Sequence, residues 1–148
     1  MTPKLTDQIC FPLYAASRAI QQRYMPVLRP LGLTYPQYLV MLVLWEQDGR
    51  SISDIGQQLW LDSGTLTPLL KRMEAAQLVT RTTHARDRRV RIIELTEDGL
   101  RLQERARHIP DTLRQCMPGI STEQLTQLKH LLDQLLPTLR EETAEGQS

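Results

Sequence analysis

Two groups of residues in this chain are of a type and spacing that can do chemistry. The first centres on a thiol, Cys10, in the segment ICFPLYA, with Tyr14 four residues on. A thiol reacts as its thiolate, and the exposed amides of a helix start favour that charge. Cys10 is expected about one turn into a first helix. No Lys or Arg adjoins it in sequence, though Lys4 and Arg18 are cations that folding could bring near. Hydrogen-bond donors are the other way to hold a negative sulfur. The hydroxyls of Tyr14, Tyr24 and Tyr35 stand in the right region. A lone cysteine is more often a small apolar filler. The residues alone leave both readings of Cys10 open.

The second group lies in the stretch LDSGTLTPLLKRMEAAQLVTRTTHARDRRVRIIELT, Leu61 to Thr96. Its start is polar and short-chained. Ser63, Thr65 and Thr67 can bond base edges or phosphates, Gly64 allows close backbone approach, and a helix start itself attracts phosphate. Lys71 and Arg72 add charge further along, while Leu66, Leu69, Leu70 and Met73 form the inward face. Two β-like runs follow, joined by a tip with four arginines within six residues, Arg86 to Arg91. Arg89 is the residue expected in a minor groove. Asp87, two residues earlier, can hold its guanidinium as a bidentate pair. Arg86, Arg88 and Arg91 are expected at phosphates. A helix that enters the major groove beside an arginine-tipped hairpin is the layout of a winged helix-turn-helix.

The elements that position these groups are mostly helical. Ile9, Leu13, Ala16, Ile20 and Tyr24 recur at helical steps and predict a first helix from Thr6 to about Arg29, disturbed at its end by Pro26 and Pro30. Thr34 with Gln37 is a capping box that opens a second helix. Its expected apolar face is Tyr38, Leu39, Leu42, Val43 and Trp45. Ser51-Ile52 reads as a short extended piece. Ser53 is expected to cap a third helix, Asp54 to Trp60, and Asp62 a fourth, with a loosened or 3₁₀ start because of Pro68. Leu78–Thr83 and Val90–Leu95 are the wing strands. Thr96 caps a fifth helix, broken near Pro110 or Cys116. Pro118-Gly119 turns the chain, and Ser121 with Gln124 opens a last helix striped by leucines 125, 128, 132, 135 and 136. The tail after Glu141 is expected to fray. The fold class is therefore mainly α with a small β-wing. Residues 34–96 form the DNA-binding winged helix-turn-helix. The helices of 1–33 and 97–148 have apolar faces that could pack on each other in one chain or, as dimerisation helices in a single intertwined domain, form a two-fold dimer.

Composition agrees with this and excludes other classes. With 148 residues, 41% apolar and 24% charged, the chain has an ordinary globular make-up. Net charge is only +1, but Lys71 to Arg91 holds seven Lys/Arg against two acids, and Ser121 to Ser148 two against five. A basic patch on a nearly neutral protein favours nucleic acid at one face. The first residues lack a long apolar core, which argues against a signal peptide, and no apolar run is long enough for a membrane span. A cytoplasmic protein is expected. Two distant cysteines make no disulfide framework, and His84, His108 and His130 show no metal-ligand spacing, so no metal or cofactor is implied.

Here the chain resembles a known family. DRRVRIIELT fits the D-x-R then L-T wing signature of the MarR regulators, on Asp87, Arg89, Leu95 and Thr96. Within that family ICFPLYA, TYPQYL and LDSGTLTPLLKRME resemble the organic-hydroperoxide sensors of the OhrR type. The resemblance implies a dimeric winged helix whose reactive cysteine is Cys10. It implies that Tyr24 and Tyr35 hydrogen-bond this cysteine across the dimer. It places Cys116 near the resolving residue of the two-cysteine members, so that Cys10 of one subunit would join Cys116 of the other. The partners implied are a second copy of the chain, a pseudo-palindromic double-stranded operator and an organic hydroperoxide as inducer. The peroxide would enter an apolar pocket near Cys10, with Phe11, Met25 and Leu39 as candidate lining. The alternative is a MarR-type repressor released by a non-covalent small aromatic ligand, with Cys10 inert. A thiol peroxidase is disfavoured, because no arginine and threonine are poised around the thiol as such an enzyme requires.

Overall fold

The fold is described from a computed structural model covering residues 2–115, 117 and 119–145, without the side chains of Leu113 and residues 141–145. Cys116 and Pro118 lie outside the described residues. The chain divides into two compact units, Met1–Leu113 and Arg114–Ser148.

The first unit opens with a 3₁₀ turn, Leu5–Asp7, and helix α1, Cys10–Leu28. The helix is shorter than the sequence periodicity suggests, and Cys10 is its first residue rather than one turn inside. Pro12 then falls in the first turn, where a missing amide hydrogen costs least. Pro26 does not end the helix; it continues to Leu28 and tightens into a 3₁₀ turn, Arg29–Leu31. Gly32, at φ +69°, closes it. The Leu33 amide donates to the Leu28 carbonyl at 3.2 Å and the Gly32 amide to that of Arg29 at 3.0 Å, a Schellman closure that needs the left-handed residue.

Helix α2, Tyr35–Glu46, has the expected capping box: the Thr34 amide donates to Gln37 Oε1 at 2.9 Å and the Gln37 amide to Thr34 Oγ1 at 3.4 Å. Its buried face differs from expectation. Val40, Met41 and Leu44 are buried with Tyr38 and Val43, while Leu42 is exposed and Leu39 half-buried. This helix runs through the middle of the core, so its apolar residues nearly encircle it and periodicity alone could not choose the face.

Strand β1, Arg50–Ser51, leads into α3, Ile52–Leu59. The cap is Ser51, whose hydroxyl accepts the Asp54 amide at 3.0 Å, and not Ser53. Starting at Ile52 buries Ile55 completely. Helix α4, Ser63–Ala75, is capped by Asp62 as expected. It is α-helical from its first turn despite Pro68; the acceptor that Pro68 leaves free belongs to exposed Gly64, where water can reach it. Strands β2, Val79–Thr83, and β3, Arg91–Leu95, pair antiparallel with Val79 opposite Leu95 and Thr83 opposite Arg91. The sheet has a third member, because β1 pairs with β3, giving the order β1-β3-β2. The core unites Leu28, Met41, Leu44, Ile55, Leu66, Leu70, Met73, Val79 and Ile93 with Leu102, Ala106 and Ile109 from α5, Glu97–Ala106, and α6, Ile109–Gln115. The break between those helices falls just before Pro110.

In the second unit helix α7, Thr122–Glu145, follows Gly119 and the Ser121/Gln124 capping box, with amide-to-side-chain distances of 2.9 and 3.1 Å. It stays helical through Glu145, past the point where fraying was expected. Of its leucines, 128, 131, 135, 136 and 139 are exposed. The architecture is mainly helical with a small antiparallel sheet, a winged helix-turn-helix. Among the described residues no single helix is long and apolar enough to cross a membrane.

Candidate nucleic-acid interface and thiol site

Helix α4 carries the polar set on its outer side. Ser63, Gly64, Thr65, Lys71 and Arg72 are exposed and Thr67 is half-buried, while Leu66, Leu69, Leu70 and Met73 hold the helix to the core. The Asp62 carboxylate accepts the Thr65 amide at 2.7 Å, and this bond keeps its carboxyl below the usual carboxylate range. The helix start is therefore already occupied by a negative group. Hydroxyls and downstream cations, rather than bare amides, are what α4 offers a nucleic acid.

The wing is ordered from base to tip by its own side chains. Arg81, on β2, donates from Nε to Glu74 Oε2 on α4 at 2.8 Å. Arg91 donates to the Thr83 hydroxyl across the hairpin at 2.6 Å. At the tip Asp87 accepts from Arg89 three times, from the amide at 3.0 Å and from the guanidinium at 3.2 and 3.4 Å. These contacts hold the Asp87 carboxyl below its ordinary range, the side-chain bond first. The Arg89 side chain remains 92% exposed, a fixed cation presented to solvent. Arg86 and Arg88 are exposed beside it.

The joint between α4 and the wing was not visible in the sequence. Gln77 adopts φ +58°, and the Leu78 amide returns to the Met73 carbonyl at 3.0 Å. Thr96 closes the joint: its amide donates to the Leu78 carbonyl at 3.1 Å and its hydroxyl to the Gln77 carbonyl at 2.5 Å. Gly99 packs so closely that a Cβ would collide with the Leu78 carbonyl oxygen. The Gly99 carbonyl also accepts Trp45 Nε1 at 2.9 Å.

Cys10 is exposed at the start of α1, where no side chain caps the helix and no acid stands in the first turn. No group within the helix's own first turn opposes the positive end of the dipole; Asp7, in the 3₁₀ turn just ahead, is the nearest acid in sequence. Among the described residues no side chain of the same protomer hydrogen-bonds the thiol. Tyr14 is exposed and paired with Arg18, whose Nη1 donates to its hydroxyl at 3.4 Å. Tyr24 and Tyr35 come together elsewhere in the unit, ring centroids 4.7 Å apart, with Tyr38 5.7 Å from Tyr24. Burial, and then each other's charge, push Tyr24 up to about 12; burial raises Tyr35 and Tyr38 as well. All three hydroxyls keep their protons at neutral pH and can serve as donors. A groove of about 360 Å³ beside Tyr35 is lined by Arg18, Gln22 and Met25. Of the apolar lining expected near Cys10, Met25 faces this groove; Phe11 and Leu39 do not. No group of His, Cys, Asp and Glu among the described residues could hold a metal ion.

The MarR family pattern matches residues 33–90, the segment from just before α2 through the wing tip. The organic hydroperoxide resistance transcriptional regulator of Bacillus subtilis is 49% identical over 138 residues, 93% of each chain. The chain belongs to the MarR family of transcriptional regulators. Among solved MarR-like structures, reduced AbfR bound to DNA superposes with a TM-score of 0.79 at 37% identity over 94% of both chains. That protein comes from Staphylococcus epidermidis. Its disulfide-formed structure superposes with a TM-score of 0.62 at 41% identity, over 86% of this chain and 92% of that one. This MarR regulator thus shares its fold with a protein solved on DNA in its reduced form and also with a disulfide formed.

Proposed function

We propose that this chain is a dimeric repressor that binds operator DNA when reduced and releases it when an organic hydroperoxide oxidises Cys10. The observation that carries the reading is an exposed thiol at an uncapped, acid-free helix start in a chain 49% identical to an organic hydroperoxide resistance regulator. Residues 34–96 read DNA, through Ser63, Thr65, Thr67, Lys71 and Arg72 on α4 and Arg86, Arg88 and Arg89 on the wing. Residues 1–33 and 97–148 hold two copies together. Exposed Phe11, Ile20 and Met25 on α1 and the exposed leucines of α7 are apolar surface that a second copy would cover.

The Cys10 thiolate attacks the outer peroxide oxygen. The O–O bond breaks, the alkoxide leaves as an alcohol with one proton, and the sulfur becomes a sulfenic acid. Tyr24 and Tyr35 of the partner subunit hydrogen-bond the thiolate and steady its charge, Tyr14 serving from the same helix. The Cys116 thiolate of the partner subunit then attacks the oxidised sulfur; the S–O bond breaks, the hydroxide takes up a proton and leaves as water, and an intersubunit disulfide forms. Bringing the two Cα atoms within about 7 Å moves helices that carry the winged units, so the two recognition helices no longer match their half-sites. The AbfR structures on DNA when reduced, and with a disulfide formed, support this pair of states in a relative.

The test uses a duplex selected from random sequence by the reduced protein. One equivalent of an organic hydroperoxide should give a covalent dimer on a non-reducing gel and release the duplex. Cys116→Ser should abolish the covalent dimer. Release without any covalent dimer in the wild type would replace the disulfide with a sulfenic acid or small-thiol adduct. One observation favours a second reading. Tyr38, Leu42, Trp45 and Pro110 line a groove of about 260 Å³ with Glu46 and Arg107 at its side, suited to a small aromatic ligand. Under that reading Cys10→Ser would still be released by ligand and wild type would ignore peroxide.

A further inference from the structure

We propose that Glu74 and Arg81 are positioning residues, a strut that sets where the wing arginine Arg89 stands relative to the recognition helix; the proposal rests on the DNA-binding reading above. In the Met1–Leu113 unit, among the described residues, theirs is the ion pair that joins two elements, α4 to β2; the others span one helix or the wing tip. Arg81 lies on the inner face of its strand, with buried Val79 two residues before it and buried Ile93 opposite. Glu74 follows Leu66 and Leu70 at four-residue steps along α4, so it sits where the recognition helix turns toward the sheet. Arg81 counts toward the basic patch in the sequence, yet its charge is met by Glu74 and is not offered to phosphate.

The strut stands at the base of a lever. From Arg81 the hairpin runs roughly 15 Å to its tip at about 3.3 Å per residue. It is stiffened midway by Arg91 with Thr83 and at the end by Asp87 with Arg89. A swing of about 10° at the base displaces the tip by about 3 Å, far beyond the tolerance of a hydrogen bond. The Arg89 contact therefore depends on a residue pair that does not touch DNA.

The test is a double-mutant cycle on the duplex selected by the reduced wild type. Glu74→Gln and Arg81→Gln should each weaken binding about tenfold without changing the salt slope, because no phosphate contact is removed. Arg89→Ala should weaken binding about tenfold in the wild type and less than about twofold in Arg81→Gln, the signature of coupled sites. The charge swap Glu74→Arg with Arg81→Glu should restore binding that either single swap loses. If Arg81→Gln disturbs folding, seen as a changed circular dichroism spectrum, Glu74→Gln carries the same cycle. An equal cost of Arg89→Ala in both backgrounds overturns the proposal. So does a salt slope lowered by about one in Arg81→Gln with Glu74→Gln harmless, which would make Arg81 a phosphate contact. Failure of wild type to select any duplex would instead defeat the DNA-binding reading itself.

Discussion

Arg89 at the wing tip is at once almost fully exposed and restrained, because Asp87 accepts from its amide and its guanidinium together. Holding it in place before binding removes entropy that would otherwise be lost on binding, about 1 kcal/mol for a long side chain. Asp87→Ala should therefore weaken operator binding about fivefold by freeing Arg89; a titration with fluorescent duplex measures it. At the thiol, Tyr24→Phe and Tyr35→Phe should each slow oxidation of Cys10 by hydroperoxide, on the order of tenfold, by removing a donor to the thiolate. Stopped-flow loss of free thiol reads this directly. The same tyrosines give a pH signature. Tyr24 titrates near 10 when unfolded and at about 12 when folded, so the unfolded chain loses its proton first. Its contribution to stability is whole below pH 10 and is lost as pH rises toward 12. Tyr24→Phe should flatten that alkaline decline in melting temperature.

Several elements were legible because their signals are local. Capping boxes at Thr34 and Ser121, the cap at Asp62 and the β-branched wing strands all name their own boundaries. Where the sequence misled, a tertiary choice decided. Ser51 and Ser53 are both competent caps, and burial of Ile55 selects the first. The face of α2 could not be read from an apolar run that is buried nearly all round. Strand β1 was expected at Ser51-Ile52 and lies one residue earlier, Arg50–Ser51, where β3 offers an edge and Ile52 is already helical. The α4–wing joint depends on contacts between Gln77, Leu78, Thr96 and Gly99 that no spacing rule links. That joint is testable as an element. Gly99→Ala places a Cβ against the Leu78 carbonyl, and such overpacking costs about 1–3 kcal/mol. Gln77→Gly should raise stability slightly, since Gln77 holds a left-handed backbone that glycine adopts without strain. Thermal melts of both variants should move in opposite directions.

At the scale of the whole molecule, the chain leaves apolar surface on α1 and α7 that a monomer gains nothing by exposing. A melting temperature that climbs with protein concentration is the expected sign that two copies fold as one unit. Under the proposed reading, the exposed Cys10 of one copy and the half-buried pair Tyr24 and Tyr35 of the other would form one site, so that sensing and assembly would be a single property. The measurement that tests this account most directly is the affinity of the reduced protein for its selected duplex, before and after one equivalent of an organic hydroperoxide, in wild type and in Cys10→Ser. The account predicts tight binding by both proteins at the start, and loss of binding after peroxide by wild type alone. Oxidised wild type that still holds the duplex as tightly as reduced protein would contradict it.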